Sequence, residues 1–295
     1  MSKIVIVGCG NVGITYCYTV LNQILGINEI VLIDINKEKL QGQVLDLCHS
    51  LFNLNSNAKI IAGDYKDCID ADIVCITAGP KQSTTKKSRM EDLYEANSIF
   101  KDIIPKIKNS GFSGIYLIAS NPLDIMTYVT WKYSGQTTSK IIGSGTLLDT
   151  ARLKYVLSKK YSKPISELTG YVLGEHGDSQ FIPWSTVNIP KLPESEITEI
   201  ENVVKKAGFT VGKLQGFTCY GVASALTRIT RAILFDENCT LPVCSYIDEY
   251  GIFISTPSII GKSGIIKSNI LNLDKEEKLK LEKSAIAIKT AIGSL

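Results

Sequence analysis

Residues 3–13 read Lys3-Ile4-Val5-Ile6-Val7-Gly8-Cys9-Gly10-Asn11-Val12-Gly13, an apolar, mostly β-branched run that passes directly into three glycines. The run predicts a strand buried on both faces. The glycines have the spacing G-x-G-x-x-G, a helix-like segment (residues 14–25) follows, and a second apolar run (residues 29–33) ends on Asp34. A glycine turn can merely connect two elements, but an acid about twenty residues beyond it, at the end of the next strand, favours a dinucleotide-binding unit.

The glycine turn predicts where the cofactor's pyrophosphate binds, and Asp34 predicts which cofactor it is. The turn allows the pyrophosphate to approach the N-terminus of the helix, where free N–H groups and the helix dipole favour an anion. Asp34 can accept hydrogen bonds from both ribose hydroxyls and would repel a 2′-phosphate. Ile35 and Asn36 supply no cation in its place. NAD is therefore favoured over NADP.

Working outward, the alternation of strands and helices continues through the first half of the chain. Further strands are predicted at residues 58–62, 71–77 and 115–120, and helices at residues 41–50 and 97–109. This order indicates a parallel, doubly wound sheet, in which ligands bind beyond the carboxyl ends of the strands. Those ends are Gly8, Asp34, Thr77-Ala78-Gly79 and Ser120-Asn121-Pro122.

The second half predicts a different architecture. Long helices are expected at residues 198–213, 221–236 and 274–292, and short strands of a separate sheet at residues 244–247, 251–255 and 265–266. The fold class is therefore α/β, with an NAD-binding Rossmann domain over residues 1–143 and an α+β substrate-binding and catalytic domain over residues 144–295.

Composition excludes several function classes. Of 295 residues, 44% are hydrophobic and 21% charged, which is typical of a globular protein. The net charge of +3 is small and scattered, so no nucleic-acid partner is expected. No stretch is long and apolar enough to span a membrane, and no signal peptide is recognised. The eight cysteines form no CxxC pair and have no zinc spacing, so we expect buried free thiols, no metal and a cytoplasmic location.

One of the two histidines, His176, lies in a short polar stretch, Gly174-Glu175-His176-Gly177-Asp178-Ser179, after an apolar run. Flanking glycines let the backbone turn and a ligand approach. Histidine titrates near neutrality and can both donate and accept a proton. A capping or packing role is the alternative for any single histidine. The other one, His49, falls inside a predicted helix away from every strand end and is interpreted as structural.

Residues 80–89, Pro80-Lys-Gln-Ser-Thr-Thr-Lys-Lys-Ser-Arg89, are polar and follow a strand end. They fit either a solvated surface loop or a lid that carries a cation over the site.

The chain resembles the L-lactate/malate dehydrogenase family almost from end to end. The matching stretches occur in the family's order and are Val7–Gly13, Val31–Asp34, Ile76–Gly79, Ser88-Arg89, Ser120–Pro122, Gly143–Thr146, Leu148–Arg152 and Gly174–Ser179. Leu148-Asp-Thr-Ala-Arg152 and Gly174-Glu-His-Gly-Asp-Ser179 are the most specific of these.

The resemblance implies a catalytic pair of His176 with Asp149, and Arg89 as the lid cation that polarises the substrate carbonyl. Arg152 would bind the substrate carboxylate and Asn121 would orient the substrate. An isolated Asp149–Arg152 pair could be a plain i, i+3 ion pair, but the surrounding motifs favour the functional interpretation. The expected cofactor-binding residues are Gly8, Gly10, Asn11, Val12, Gly13, Asp34, Thr77, Ala78, Gly79, Asn97, Ser120, Asn121 and Ser144.

Two positions bear on which small 2-keto or 2-hydroxy acid is the substrate. Gln82 stands where lactate-type members carry glutamine and malate-type members arginine, although Lys81 is adjacent and the lid is one residue longer than usual. Thr218 aligns with a threonine that limits the size of the substrate side chain, yet residues 220–223 also resemble L-2-hydroxyisocaproate dehydrogenases. Lactate is the first expectation, with a branched 2-hydroxy acid and malate as alternatives. A non-catalytic NAD-binding protein is the alternative from another class.

The resemblance also suggests a homotetramer or homodimer. Where allosteric members place a phosphate-binding arginine and histidine, this chain has Lys154 and Thr169, so no activation by fructose 1,6-bisphosphate is expected.

Overall fold

The structure is a computed structural model that describes residues 2–80, 89–268 and 271–295. Its strands form one nine-stranded sheet. In chain order they are β1 (Ser2–Val7), β2 (Ile27–Ile33), β3 (Lys59–Ala62), β4 (Ile73–Ile76), β5 (Ile115–Ile118), β6 (Ile141–Gly143), β7 (Cys239–Ile247), β8 (Ile252–Gly261) and β9 (Gly264–Ser268).

Helices in the described part of the chain connect and cover these strands. They are α1 (Asn11–Gln23), α2 (Lys37–Ser50), α3 (Arg89–Asn109), α4 (Leu123–Ser134), α5 (Leu147–Tyr161), α6 (Glu194–Gln215), α7 (Tyr220–Leu234) and α8 (Lys275–Gly293). The helix predicted from residue 97 begins at Arg89 instead. Its first turn carries Glu91 and Asp92, which suit the positive end of the helix dipole, and the buried Leu93, Ala96 and Phe100 extend the apolar face of the helix towards its start.

The first six strands have the order β3-β2-β1-β4-β5-β6 and pair in parallel. The strand order reverses between β1 and β4, which is the point where doubly wound sheets bind their ligands. The predicted Rossmann sheet is confirmed.

The prediction of a separate second sheet is wrong. β7 pairs antiparallel with β6 through Gly143 and Cys244, and β8 and β9 continue the same sheet. The strands approach closely at this point because Gly143 has no side chain. A β-carbon there would lie 2.8 Å from the β-carbon of Cys244. Such pairing depends on a contact distant in sequence, which local patterning does not report.

Strand β1 is buried on both faces, as its β-branched run predicted. Ile4 and Ile6 pack into a core cluster with α1, α2 and α7, whereas Val5 and Val7 pack on the other face with α3 and α4. A hydrogen bond of 2.5 Å joins the Tyr16 hydroxyl of α1 to the Thr230 hydroxyl of α7 inside the first cluster. This packing fixes the strand ends that form the site.

All eight cysteines are free thiols; six are buried as expected, whereas Cys48 and Cys239 are half-buried. Within residues 2–80, 89–268 and 271–295, no helix has the length and apolar character to cross a membrane. No cluster suited to a metal ion occurs among those residues either.

Candidate active site

The loops that follow β1, β4 and β5 are joined by hydrogen bonds at the carboxyl edge of the sheet. The Thr77 hydroxyl donates to the Gly8 carbonyl at 2.5 Å, and the Ser120 hydroxyl donates to the Ala78 carbonyl at 2.5 Å. The strand ends named from the sequence therefore lie together, and their loops form a continuous rim beside the glycine turn.

The glycine turn has the shape needed for a pyrophosphate. Gly8 has φ +94, and a β-carbon at Gly13 would overlap the Gly8 carbonyl oxygen, so both positions require glycine. Among the residues that the structure describes, nothing lies within 4 Å of the position a β-carbon would take at Gly10. Gly10 precedes α1, and no side chain in the described part of the chain caps this helix. The helix N–H groups are thus available to an anion, which fits NAD.

Asp34, which follows β2, is held by one backbone N–H of the glycine turn and one of its own loop. Its Oδ2 accepts a hydrogen bond from the Cys9 N–H at 2.7 Å, and its Oδ1 accepts one from the Asn36 N–H at 2.9 Å. The carboxylate therefore stands beside the glycine turn, where a dinucleotide's ribose would lie. Asn97, on α3, is half-buried and accepts a hydrogen bond from the Tyr133 hydroxyl at 3.1 Å.

Asp149 and Arg152 lie one turn apart on α5, and Asp149 bonds both Arg152 and His176. The Nδ1 atom of His176 is 2.7 Å from Asp149 Oδ2, and Arg152 Nη1 donates to Asp149 Oδ1 at 2.9 Å. Asp149 is 2% exposed, so its charge acts in a medium of low polarity. Asp149 therefore contacts both His176, its partner in the expected catalytic pair, and Arg152.

Burial opposes charge on His176 and would lower its pKa, but the charge and hydrogen bond of Asp149 outweigh burial and raise the pKa of the imidazole above its usual value. Burial would likewise raise the pKa of Asp149, whereas the charges and hydrogen bonds of His176 and Arg152 hold it below its usual value. The pair therefore favours a protonated imidazole beside an ionised carboxylate. Such an imidazole can donate a proton from its other nitrogen.

A cavity of about 340 Å³ opens onto this pair. It brings together residues that the sequence placed in substrate and cofactor binding: Asn121, Ser144, Asp149, Arg152, His176 and Thr218. Gln82 and the rest of the predicted lid (residues 81–88) lie outside the described residues, as does the side chain of Arg89.

The loop that carries His176 is held from several elements. Gly174 pairs with Ser255 of β8 through two backbone hydrogen bonds, and Leu173 pairs in the same way with Phe181. The Ser284 hydroxyl of α8 accepts a hydrogen bond from the Glu175 N–H at 2.6 Å. The flanking glycines thus do not leave the loop loosely attached.

Sequence reasoning missed three residues next to the site. Asp124 of α4 accepts a hydrogen bond from the His176 backbone N–H at 2.8 Å. Gly208 of α6 faces Arg152, and a β-carbon there would lie 3.3 Å from Arg152 Nη2. Lys205, also on α6, donates to the Asp178 carbonyl. A glycine in a helix interior is a signal of close approach, whereas nothing local marks the other two.

Comparison with known proteins agrees with this geometry. The description "lactate/malate dehydrogenase, NAD binding domain" matches residues 2–143, and "lactate/malate dehydrogenase, alpha/beta C-terminal domain" matches residues 146–294. The L-lactate dehydrogenase of Halalkalibacterium halodurans is 41% identical over 298 residues, covering 98% of this chain and 96% of that protein. That of Borrelia turicatae is 39% identical over 311 residues, covering 100% of this chain and 98% of that protein.

Solved structures give the same result. The minor L-lactate dehydrogenase of Enterococcus mundtii superposes with a TM-score of 0.95 at 35% identity, covering 100% of this chain and 98% of that one. A lactate dehydrogenase from a deep-sea metagenome library gives a TM-score of 0.94 at 37% identity, covering 99% of this chain and 98% of that one. The chain belongs to the lactate/malate dehydrogenase family.

Proposed function

We propose that the protein is an NAD-dependent L-lactate dehydrogenase, which reduces pyruvate to L-lactate with NADH and catalyses the reverse oxidation with NAD. The observation that carries this proposal is the contact between His176 and the buried Asp149 in a cavity that Arg152 also lines. The relatives named above are L-lactate dehydrogenases at about 40% identity over nearly the whole chain. Their names and the matched NAD-binding domain support the assignment of this protein as an NAD-dependent oxidoreductase.

His176 supplies the proton in this reaction. In the reduction direction, the imidazolium hydrogen-bonds the ketone oxygen of pyruvate and donates its proton as negative charge develops on that oxygen. In the oxidation direction, the neutral imidazole accepts the hydroxyl proton. Asp149 fixes the orientation of the ring and stabilises its protonated form, because a buried carboxylate at 2.7 Å favours the cation.

Arg152 binds the substrate carboxylate. A guanidinium has five N–H donors in a planar fork, and only Nη1 is engaged with Asp149. The remaining donors can bind a carboxylate in a bidentate manner, which lysine cannot do. Asn121 orients the substrate, and Arg89 is assigned to polarising the carbonyl on the resemblance alone.

NADH, when bound, supplies the hydride. The residues assigned to holding it are Gly8, Gly10, Asn11, Val12, Gly13, Asp34, Thr77, Ala78, Gly79, Asn97, Ser120, Asn121 and Ser144. The open N-terminus of α1 and the fixed carboxylate of Asp34 support this assignment.

The substrate is assigned to pyruvate and lactate through Gln82 and Thr218. A neutral Gln82 offers no cation to the second carboxylate of oxaloacetate, and a buried unpaired charge is costly. Thr218 lines the cavity, and the resemblance assigns it to limiting the space for a substrate side chain. The relatives' names also favour L-lactate dehydrogenase over the malate, 2-hydroxyisocaproate and non-catalytic alternatives.

The test is the oxidation of NADH by the purified protein with pyruvate, oxaloacetate and 4-methyl-2-oxopentanoate. We expect the highest kcat/KM with pyruvate. A higher kcat/KM with either of the other acids would overturn the substrate assignment, and no turnover with any 2-keto acid would overturn the proposed function.

We further propose that the protein forms a homotetramer or homodimer and is located in the cytoplasm. We also propose that the cofactor-binding domain ends at Gly143 and the substrate-binding domain begins at Ser144. Eight unpaired thiols support a reducing compartment, and the oligomeric state can be measured by analytical ultracentrifugation.

A further inference from the structure

Asp124 is an acid in an unusual position. It lies in the first turn of α4, three residues after Asn121, and is only 2% exposed. An acid in the first turn of a helix ordinarily faces water while interacting with the helix dipole. A buried aspartate requires a specific partner, because burial of an uncompensated charge is costly.

That partner is the backbone of His176. Asp124 Oδ2 accepts the His176 N–H at 2.8 Å, across 52 positions of sequence. The imidazole of the same residue contacts Asp149 at 2.7 Å. His176 is therefore held at two points, its backbone by an acid on α4 and its ring by an acid on α5.

We propose that Asp124 is a positioning residue for the reaction, which fixes the backbone of His176 relative to Asn121. The inference rests on the proposed function, because it assumes that His176 exchanges a proton with the substrate that Asn121 orients. Asn121, which lines the cavity, and Asp124 are separated only by Pro122 and Leu123. The bond from Asp124 to the His176 N–H therefore sets the distance between the His176 backbone and Asn121.

The consequence for catalysis is geometric. Displacement of a reacting group by about 1 Å can lower a rate about 100-fold. Loss of the Asp124 bond leaves the ring attached to Asp149 and the neighbouring bonds of Gly174 and Glu175 in place, but it removes the bond that fixes the His176 backbone itself. Substrate and cofactor contacts made by other residues are not altered. We therefore expect the defect in kcat rather than in the binding of NADH.

The surroundings of Asp124 support a specific role. Besides His176, the buried thiol of Cys244 on β7 interacts with the carboxyl, and Glu175 acts on it through its charge. Burial raises the pKa of Asp124 to about 6. The Asp124 charge in turn adds to the larger effect of Asp149 in raising the pKa of His176.

The experiment compares Asp124→Ala, Asp124→Asn and Thr127→Val in the full-length protein. Asparagine keeps an oxygen that can accept the His176 N–H, whereas alanine does not. Thr127 lies one turn further along α4, is fully buried, donates to the Leu123 carbonyl at 2.8 Å and also interacts with the Cys244 thiol. T127V therefore disturbs α4 and the Cys244 side of Asp124 while the acceptor for the His176 N–H is kept, which makes it the control. The measurements are kcat and KM for pyruvate, and the NADH dissociation constant from nicotinamide fluorescence.

We expect D124A to lower kcat at least about tenfold with the NADH dissociation constant within about twofold of wild type. D124N should recover most of the lost kcat at pH 6, and T127V should match wild type. Should D124A show no cooperative thermal unfolding, Asp124→Leu, which fills a similar volume without an acceptor, carries the same expectations.

A D124A kcat within about twofold of wild type, or an equal loss in T127V, would overturn the inference. A D124N kcat as low as that of D124A would also overturn it, because the hydrogen bond would then not be the cause. An active wild type with an equally active D124A overturns this inference alone, whereas a wild type that reduces no 2-keto acid overturns the proposed function first.

Discussion

The hydrogen bond between His176 and Asp149 makes the charge of the imidazole depend on one buried carboxylate. Because the pKa of His176 is raised, pyruvate reduction should be fully supported below that pKa and lost as the pH rises through it. Asp149→Asn removes the charge, so the loss should move to lower pH, and kcat should fall about 100-fold or more. The measurement is kcat/KM against pH in both directions.

Arg152→Lys is the control for this prediction. It keeps a cation on α5 but loses the planar fork, so we expect a rise in the pyruvate KM with little movement of the pH profile. A pH profile of D149N identical to that of wild type would contradict the assignment of Asp149.

The two buried acids around His176 should affect stability in opposite directions. The pKa of Asp124 is raised from 3.8 to about 6, so between these values the folded state binds more protons than the unfolded state. Titration of Asp124 therefore lowers the protein's free energy of unfolding as the pH rises through this window, by at most about 3 kcal/mol. Asp124→Asn should become more stable relative to wild type from pH 4 to pH 7.

The pKa of Asp149 is lowered, so its contribution to stability is present above the ordinary aspartate pKa and is lost as the pH falls through the lower folded value. Asp149→Asn should therefore be less stable than wild type at pH 7, and the difference should shrink towards acid pH. Urea unfolding at pH 4 to 7 measures both variants. The same sign for both would show that burial does not dominate at Asp124.

At the scale of elements, Gly208 of α6 has no side chain, which leaves room for the guanidinium of Arg152. Alanine in a helix interior stabilises by about 0.5–1 kcal/mol relative to glycine. A β-carbon at position 208 would press on the guanidinium at 3.3 Å. We expect Gly208→Ala to raise the pyruvate KM severalfold while kcat changes less, in steady-state assays.

Gly212 provides the matched control, because it lies one turn further along α6 and no described residue comes within 4 Å of the position a β-carbon would take. Gly212→Ala should gain the same helix stability and keep the wild-type KM. Equal KM values for the two variants would show that Gly208 does not position Arg152.

The elements that could be predicted from sequence are those whose signal is local. The β-branched run of β1, its glycine turn and Asp34 mark one unit, and the structure has them in that arrangement. The continuation of the sheet from Gly143 to Cys244 and the burial of Asp124 depend on contacts between distant segments. An acid in the first turn of a helix is usually exposed, so its spacing alone gave no reason to select Asp124.

At the scale of the whole molecule, Lys154 and Thr169 bear on whether a phosphate ligand other than the cofactor, such as fructose 1,6-bisphosphate, regulates the protein. Lys154 lies on α5, and burial lowers its pKa, which makes it a weaker anion site than an exposed lysine. The Thr169 hydroxyl already donates to the Thr186 carbonyl at 3.0 Å. Neither matches the phosphate-binding arginine and histidine that the resemblance implies at these positions in allosteric members, because threonine carries no charge and lysine lacks a planar fork. We therefore expect the pyruvate KM to be unchanged by millimolar fructose 1,6-bisphosphate at pH 7. A fall of about fivefold or more, measured at fixed protein concentration, would show that other residues form the phosphate site.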